Sequence, residues 1–392
     1  MSEARRRTIA IVVPDMGEGG SVSAVALRHA SELCANNRVI LVSRSSAKSQ
    51  PASVDFIAVH ARKWNWLRRL CHVPNEMSFT LGVRDALQRL HQHTRLDVVW
   101  CHSHSTTALS ATQLRELGVR LFMTTHGDIF DRPAGTYTNE LAWYYRRVTP
   151  LAYRRADRVQ VLSPAMRQRA VAGGALSQHV HLIPNGLDPS EIGLSVAPRA
   201  RTAQEFLPRQ VVRLLYVGSL WHVKGPDVLL RALRILCDIR GAGLSYEARY
   251  IGTGSPAKLK KLAVELQIEN RVRFDGPQSR TSLSGSYADC DIVCVPSRSE
   301  ALSTAALEAM MCSVPIVASR TGGLCAQVED GVTGHLARPD DPADLARAIL
   351  DAVQSREHLA DMGRLGQVKV LRDFAWPQVG AQLQRMLDEA FA

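Results

Sequence analysis

The chain has 392 residues, of which 46% are hydrophobic and 22% charged, and it carries a net charge of +11. This balance excludes a disordered chain or a small disulfide scaffold, and at roughly 100–200 residues per domain it calls for two domains. The charge is uneven: residues 1–190 hold 24 Lys/Arg against 14 Asp/Glu, a balance of +10, whereas residues 191–392 hold 24 against 23, a balance of +1.

A basic first half attracts phosphates, nucleic acid or an anionic membrane surface. Its basic residues are spread rather than set in an aromatic-interleaved stripe, so nucleic acid is not the expected partner. The eight cysteines, at 34, 71, 101, 237, 290, 294, 312 and 325, form no CxxC pair and read as reduced thiols. The first apolar run stops at Pro14, too short for a signal peptide, and no stretch approaches the roughly 18 apolar residues of a membrane span. A cytoplasmic protein is expected.

In chain order, Thr8–Val13 is a β-branched run followed by Gly17-Glu-Gly-Gly20 and an amphipathic stretch to Cys34. Further strands are expected at Arg38–Ser43, Val54–Val59, Asp97–Cys101, Arg120–Thr124, Arg158–Leu162 and His179–Ile183, with helical patterns between most of them. Residues 189–210 lack periodicity, hold three prolines and read as an interdomain linker. The alternation then restarts with strands at Val212–Val217, Glu247–Ile251, Val272–Phe274, Ile292–Val295 and Pro315–Ala318. Helices are expected at 226–239, 256–267, 304–312, 342–354, 357–372 and about 376–391. Alternating strands and helices argue for parallel βαβ units, hence two α/β halves in tandem. Ligands of such sheets bind beyond the carboxyl ends of the strands.

Five features carry chemistry. Glu300-Ala-Leu-Ser-Thr-Ala-Ala-Leu-Glu308 follows a strand, and the N–H groups of Leu302, Ser303 and Thr304 open a helix, which is a ready anion site. The same pattern also reads as a plain capped helix with a solvated Glu308. Val217-Gly-Ser-Leu-Trp-His-Val-Lys224-Gly225 places Lys224 before a helix that starts at Pro226, where it could neutralise a diphosphate or sit as an ordinary surface lysine. Gly252 and Gly254 mark a strand end, a weak signal alone. Gly20 can bring bare backbone near a phosphate, although Val22 stands where the dinucleotide fingerprint has its third glycine. His126, in Thr124-Thr-His-Gly-Asp128, ends a strand and suits proton transfer or hydroxyl orientation, or a structural role.

Asp289-Cys-Asp291 is a D-x-D triplet, but it lies between a helix end and a strand start, so it reads as structural. His91-Gln-His93 and His102-Ser-His104 lack companion ligands at metal spacing, and no metal is expected.

Taken together and in order, these fragments resemble the retaining family-4 glycosyltransferases of the GT-B fold. The resemblance runs through the glycine loop, His126-Gly127, Pro184-Asn-Gly-Leu-Asp188, the Gly218…Lys224-Gly225 loop, Glu300-x7-Glu308, Thr321-Gly-Gly323 and Glu329-Asp-Gly-Val-Thr-Gly334. It implies two Rossmann-like parallel-sheet domains facing across a cleft. Residues 1–190 would form the acceptor side and residues 207–375 the donor side, with a last helix, 376–392, packed back on the first domain. It implies a nucleoside-diphosphate sugar as donor, UDP before GDP, and no cofactor or metal. The acceptor would be a hydroxyl of a glycan, a lipid-linked molecule or a small molecule, with retention at the anomeric carbon.

By the same resemblance Lys224 would bind the diphosphate, Glu300 the transferred sugar and Glu308 the ribose. His126 would sit by the sugar and the acceptor hydroxyl, with Gly20 near the diphosphate. The chain departs from the family pattern at Ser219, where an arginine is usual, and at Ala301, Ser303, Ser313 and Ala326. Other readings consistent with the fold are a nucleotide-sugar epimerase and an inactive donor-binding partner. Trp64-Asn-Trp66-Leu-Arg-Arg-Leu70, within the basic half, suits peripheral contact with an anionic membrane at its inner face, or an ordinary packed loop.

Overall fold

The computed structural model describes residues 6–14, 21–44, 52–59, 73–102, 105–126, 139–206, 211–239, 245–354 and 356–392. Gly20, the Trp64–Leu70 stretch and Gly127-Asp128 lie outside the described residues. The chain forms two compact units, Met1–Asn185 with Trp376–Ala392, and Gly186–Ala375.

Among the described residues the first unit holds seven parallel strands: β1 Thr8–Val12, β2 Arg38–Ser43, β3 Asp55–Ala58, β4 Val98–His102, β5 Arg120–Thr124, β6 Arg158–Val161 and β7 Val180–Leu182. Their order is β3-β2-β1-β4-β5-β6-β7. Its helices are α1 Ser21–Leu33, α2 Val73–His93, α3 Ser105–Ser110, α4 Asn139–Arg155 and α5 Pro164–Ala172. In strands such as Thr-Ile-Ala-Ile-Val the four residues after the threonine are apolar and buried, because helices cover both faces of a parallel sheet.

The second unit repeats the plan with β8 Val211–Val217, β9 Ser245–Ile251, β10 Val272–Gly276, β11 Ile292–Val295, β12 Ile316–Ser319 and β13 Gly334–Ala337, ordered β10-β9-β8-β11-β12-β13. Its helices are α6 Pro226–Asp238, α7 Ala257–Glu265, α8 Leu283–Ala288, α9 Thr304–Met311, α10 Leu324–Gln327, α11 Pro342–Ala352 and α12 Arg356–Asp373. The last helix, α13 Trp376–Glu389, returns to the first unit, where Trp376, Val379, Leu383, Met386 and Leu387 join the core formed by α1, β1 and β4.

In each unit the strand order reverses once, between β1 and β4 and between β8 and β11. Those switch points open a crevice at the strand C-termini, and they set where ligands can approach.

Of residues 189–210, expected as a linker, the described part, 189–206, instead packs within the second unit. Leu187, Ile192 and Phe206 are buried. Asp188 and Glu191 form a capping box on a short 3₁₀ turn, and Arg201 lies over the Phe206 ring at 3.9 Å. The segment lacks periodicity because its apolar residues anchor one at a time. The strand β13 and the short helices α8 and α10 were not expected; four to six residues carry too little pattern to read. Among the described residues no helix is long and apolar enough to cross a membrane.

Candidate functional site

The second unit's switch point brings together the loop after β8 and the loop after β11. Lys224 sits in the first and Glu300 in the second, and Lys224 Nζ lies 2.8 Å from Glu300 Oε1 and 2.6 Å from Oε2. Ser297 Oγ donates to Glu300 Oε2 at 3.0 Å. Glu300 is nearly enclosed, whereas the Lys224 side chain stays about a third exposed, so its ammonium remains open to solvent on one side. An ammonium has three donors, and the carboxylate faces only part of that set.

Backbone packing builds this pair. Gly225 has φ +65°, and a Cβ there would strike the Pro296 carbonyl, so only glycine lets the Lys224 loop lie against the Glu300 loop. Pro226 takes the first position of α6, as the sequence suggests. Arg298 ties the two loops together. Its N–H donates to the Val223 carbonyl at 2.8 Å and its guanidinium to the His222 carbonyl at 2.6 Å. The same guanidinium forms a two-pronged pair with Asp227, at 2.8 and 2.7 Å, and a pair with Asp340. From below, Gly323 N–H donates to the Glu300 carbonyl at 2.9 Å, and a Cβ on Gly322 would collide with that carbonyl. Ser219 lends its carbonyl to the Tyr216 hydroxyl at 2.6 Å. Gly252 and Gly254 have a packing role: a Cβ on Gly252 would strike the Gly218 carbonyl, and Gly254 lies against Leu220.

The helix α9 leaves from the Glu300 loop. Ser303 caps it, accepting from Ala306 N–H at 3.3 Å. The Ser303 backbone is itself consumed: its N–H donates to Gln327 Oε1 at 2.9 Å and its carbonyl accepts from Gln327 Nε2 at 2.8 Å. The expected anion site at 302–304 is therefore shifted. The Ser303 amide is occupied, and the first-turn amides of Thr304 and Ala305 are the ones a helix start leaves unpaired. Thr304 is exposed, and Leu302 is half-buried against the core.

Glu308, one turn on, is only 3% exposed. The expected solvated alternative is thereby excluded. Its Oε1 accepts from Arg280 Nε and its Oε2 from the Tyr287 hydroxyl, each at 2.7 Å. Arg280 also pairs with Glu191. Burial, then the neighbouring carboxylate, pushes the Tyr287 phenol well above its ordinary range, so it stays a donor. Arg280, Tyr287, Arg298 and Gln327 were not singled out in the sequence; they come from the short helices α8 and α10 and from loops that carry no motif of their own.

Asp289 and Asp291 both pair with Arg213 of β8, at 2.9 and 3.0 Å, and Asp291 is fully buried. The triplet thus clamps β11 to β8 at the amino ends of the strands, opposite the crevice. His91 Nδ1 accepts from Leu96 N–H at 3.2 Å, a local turn contact. Among the described residues no group of three or more His, Cys, Asp or Glu could hold a metal ion.

In the first unit His126 follows β5, and its Nε2 lies 3.0 Å from Nδ1 of His102 at the end of β4. Burial lowers the His126 pKa to about 4. His29 of α1 stands edge-on to His102, with ring centroids 4.8 Å apart.

Two family profiles match in succession. Residues 19–191 match "Glycosyltransferase Family 4" and residues 201–368 match "Glycosyl transferases group 1".

The chain belongs to glycosyltransferase family 4.

Its relatives include the D-inositol 3-phosphate glycosyltransferase of Mycolicibacterium vanbaalenii, 40% identical over 146 residues, which are 35% of this chain and 32% of the relative. A D-inositol 3-phosphate glycosyltransferase of Arthrobacter is 28% identical over 386 residues, 94% of this chain and 90% of the relative. The match thus spans about a third of the Mycolicibacterium relative's length and 44% of that of a Catenulispora relative of the same description. Among solved structures, Anabaena HepE in complex with UDP and glucose aligns with a TM-score of 0.72 at 19% identity, covering 98% of this chain and 100% of HepE. Sucrose-phosphate synthase from Thermosynechococcus elongatus aligns with a TM-score of 0.78 at 21% identity, covering 98% and 99%. The fold of this family-4 member is accordingly GT-B, with two Rossmann-like parallel-sheet domains.

One consequence concerns pH. His29 and His102 are fully buried. Burial, then the nearby His126, lowers the His29 pKa from 6.5 to about 3, and burial with its two histidine neighbours holds His102 well below its ordinary value. The folded values lie below the unfolded ones, so their stabilisation is complete above about pH 6.5 and shrinks as pH falls towards the folded pKa, because the unfolded chain then binds more protons. The His29 contribution is expected to fall by on the order of 2 kcal/mol between pH 7 and pH 5, with His102 acting in the same direction. Thermal unfolding across that range checks this, and His29→Phe is expected to flatten the slope.

Proposed function

We propose that the protein transfers a glycosyl unit from a nucleoside-diphosphate sugar to an acceptor hydroxyl, with its donor site at the β8/β11 switch point of the second unit. The observation that carries this reading is the Lys224–Glu300 pair at 2.6 Å, together with the buried Glu308 on the helix that leaves the same loop. Cation, carboxylate and helix start are three groups that a sugar diphosphate needs in one place.

When the anomeric bond breaks, charge builds on the leaving diphosphate. Lys224 and the Thr304 and Ala305 amides would meet it as preorganised donors. Glu300, released from part of its contact with Lys224, would accept from sugar hydroxyls. Glu308 still has lone pairs beyond those used by Arg280 and Tyr287, and these suit ribose hydroxyls. Protein donors, rather than a metal ion, neutralise the diphosphate in this scheme, and the product retains the anomeric configuration. UDP is the favoured nucleotide, since the similar Anabaena HepE has been solved with UDP and with UDP-glucose. A phosphorylated polyol fits as acceptor, since the relatives are named for inositol 3-phosphate and the first half carries the +10 excess.

The test is transfer from a panel of UDP- and GDP-sugars to D-inositol 3-phosphate and other polyol phosphates, with the product's anomeric configuration read by NMR. Lys224→Ala and Glu308→Gln are each expected to reduce transfer about 100-fold or more with the fold intact, and EDTA is expected to leave the wild-type rate unchanged. Wild-type rates in both variants would remove the site assignment.

A peripheral membrane contact is favoured by one surface of the first unit. The helix α4 exposes Trp143, 60% accessible, together with Arg146, Arg147, Leu151, Arg154 and Arg155. Arg147 lies over the Trp143 ring at 5.3 Å. The sequence of α4 has no acidic residue after Glu140, and among the described residues Arg146, Arg154 and Arg155 have no carboxylate partner. An aromatic and four arginines on one helix face complement an anionic bilayer surface. The protein is expected to float with phosphatidylglycerol-containing vesicles and not with phosphatidylcholine alone, and the combined change of the four arginines to glutamate is expected to abolish flotation. Equal flotation of the variant would exclude this face.

A further inference from the structure

His126 is placed at the end of β5, but what holds its ring is another histidine. The strands β4 and β5 pair in parallel with His102 opposite Thr124, so the ladder itself delivers His102 beside the residue that follows Thr124-Thr125. The contact is His102 Nδ1 to His126 Nε2 at 3.0 Å, and His102 is fully buried. An imidazole at a reaction site is usually oriented by a carboxylate or a backbone carbonyl on its second nitrogen. Here the orienting group is a neutral imidazole, which can donate or accept but not both at the same nitrogen.

The direction of the bond follows from what surrounds His102. Its other nitrogen, Nε2, is buried with no hydrogen-bond partner. If His126 donated, His102 would have to carry its proton on Nε2, leaving a buried N–H without an acceptor. If His102 donates, only a bare lone pair is left there. Orphaned buried N–H groups are the rarer and costlier of the two. The rings behind agree with a fixed, uncharged stack: His29 meets His102 edge-on at 4.8 Å and Trp376 edge-on at 5.9 Å, and both His29 nitrogens are also buried without partners. No cation is accommodated by such surroundings, so the pair stays neutral.

We propose that His102 is a positioning residue that donates its Nδ1–H to His126 Nε2 and thereby holds His126 as the Nδ1–H tautomer, a neutral hydrogen-bond donor to a substrate oxygen rather than a base. The role given to His126 rests on the transferase reading above; the tautomer does not. In this arrangement His126 offers a proton to a sugar or acceptor oxygen without taking one away, and the acceptor proton leaves by another route, such as the departing diphosphate oxygen.

The experiment is a tautomer-sensitive long-range ¹H–¹⁵N spectrum of the protein labelled with ¹⁵N-histidine, the His126 signals being assigned by comparison with His126→Gln. The wild-type protein is expected to show His126 protonated at Nδ1. His102→Phe, a ring without a donor, is expected to shift His126 to the Nε2–H form and to lower kcat at least about tenfold while leaving KM for the donor unchanged. His102→Asn, whose amide nitrogen can replace Nδ1–H, is expected to restore both the tautomer and most of kcat. A wild-type His126 protonated at Nε2, or an unchanged tautomer in His102→Phe, would overturn the proposal. Absence of transfer by the wild-type protein with every sugar nucleotide would count against the transferase reading, and the spectrum would still decide the direction of this bond.

Discussion

A carboxylate buried to 3% exposure is tolerated in an apolar core only when its charge is met by a cation or fixed donors, and much of the second unit is arranged around meeting the charge of Glu308. Arg280 and the Tyr287 hydroxyl each bind one of its oxygens, and Glu191 balances the far side of Arg280. The segment 186–206 is held to the second unit partly through that last pair, which is why it does not behave as a free linker. Because Glu308 is fixed, the helix α9 is fixed. Its start, and the Glu300 loop before it, then have one position relative to β11.

The second constraint is the close approach of backbone to backbone at the same strand ends. Gly225 against Pro296, Gly322 against Glu300 and Gly252 against Gly218 leave no room for a Cβ. Loops packed this tightly keep Lys224 and Glu300 in contact. Arg298 adds the charged fastening, with Asp227 on one side and Asp340 on the other. The usual family arginine at position 219 is absent, and Arg298 does not replace it, since its guanidinium is already engaged by two carboxylates. Lys224 is thus the cation with an open side at this crevice among the side chains traced above.

Much of this was legible in the sequence. Twelve of the thirteen strands among the described residues were readable because parallel strands covered on both faces carry unbroken apolar runs, as in Val39–Val42 and Ile292–Val295. Lys224 and Glu300 could be picked out because glycine and proline punctuate the loops that carry them, and Glu308 because it follows the capped start of α9. What holds those residues was not legible. Arg280 lies in a serine- and threonine-rich loop, Tyr287 on a six-residue helix and Gln327 on a four-residue one, and none of these has a period or a motif. Their partners lie between 21 and 89 positions away, a pairing that only the folded sheet creates. The histidine pair shows the same limit. His102 and His126 were each visible, but the 3.0 Å contact between them depends on β4 and β5 being neighbours in register.

The central claim is that the β8/β11 crevice binds the nucleoside diphosphate of a sugar donor through protein groups alone. Its most direct test is calorimetric titration of UDP, GDP, ADP and dTDP, each with and without EDTA, into the wild-type protein and Glu308→Gln. The account predicts that UDP binds, that EDTA does not change its affinity, and that Glu308→Gln weakens binding at least about tenfold, or 1.4 kcal/mol. Binding of no nucleotide, binding that EDTA abolishes, or equal affinity in the variant would contradict it.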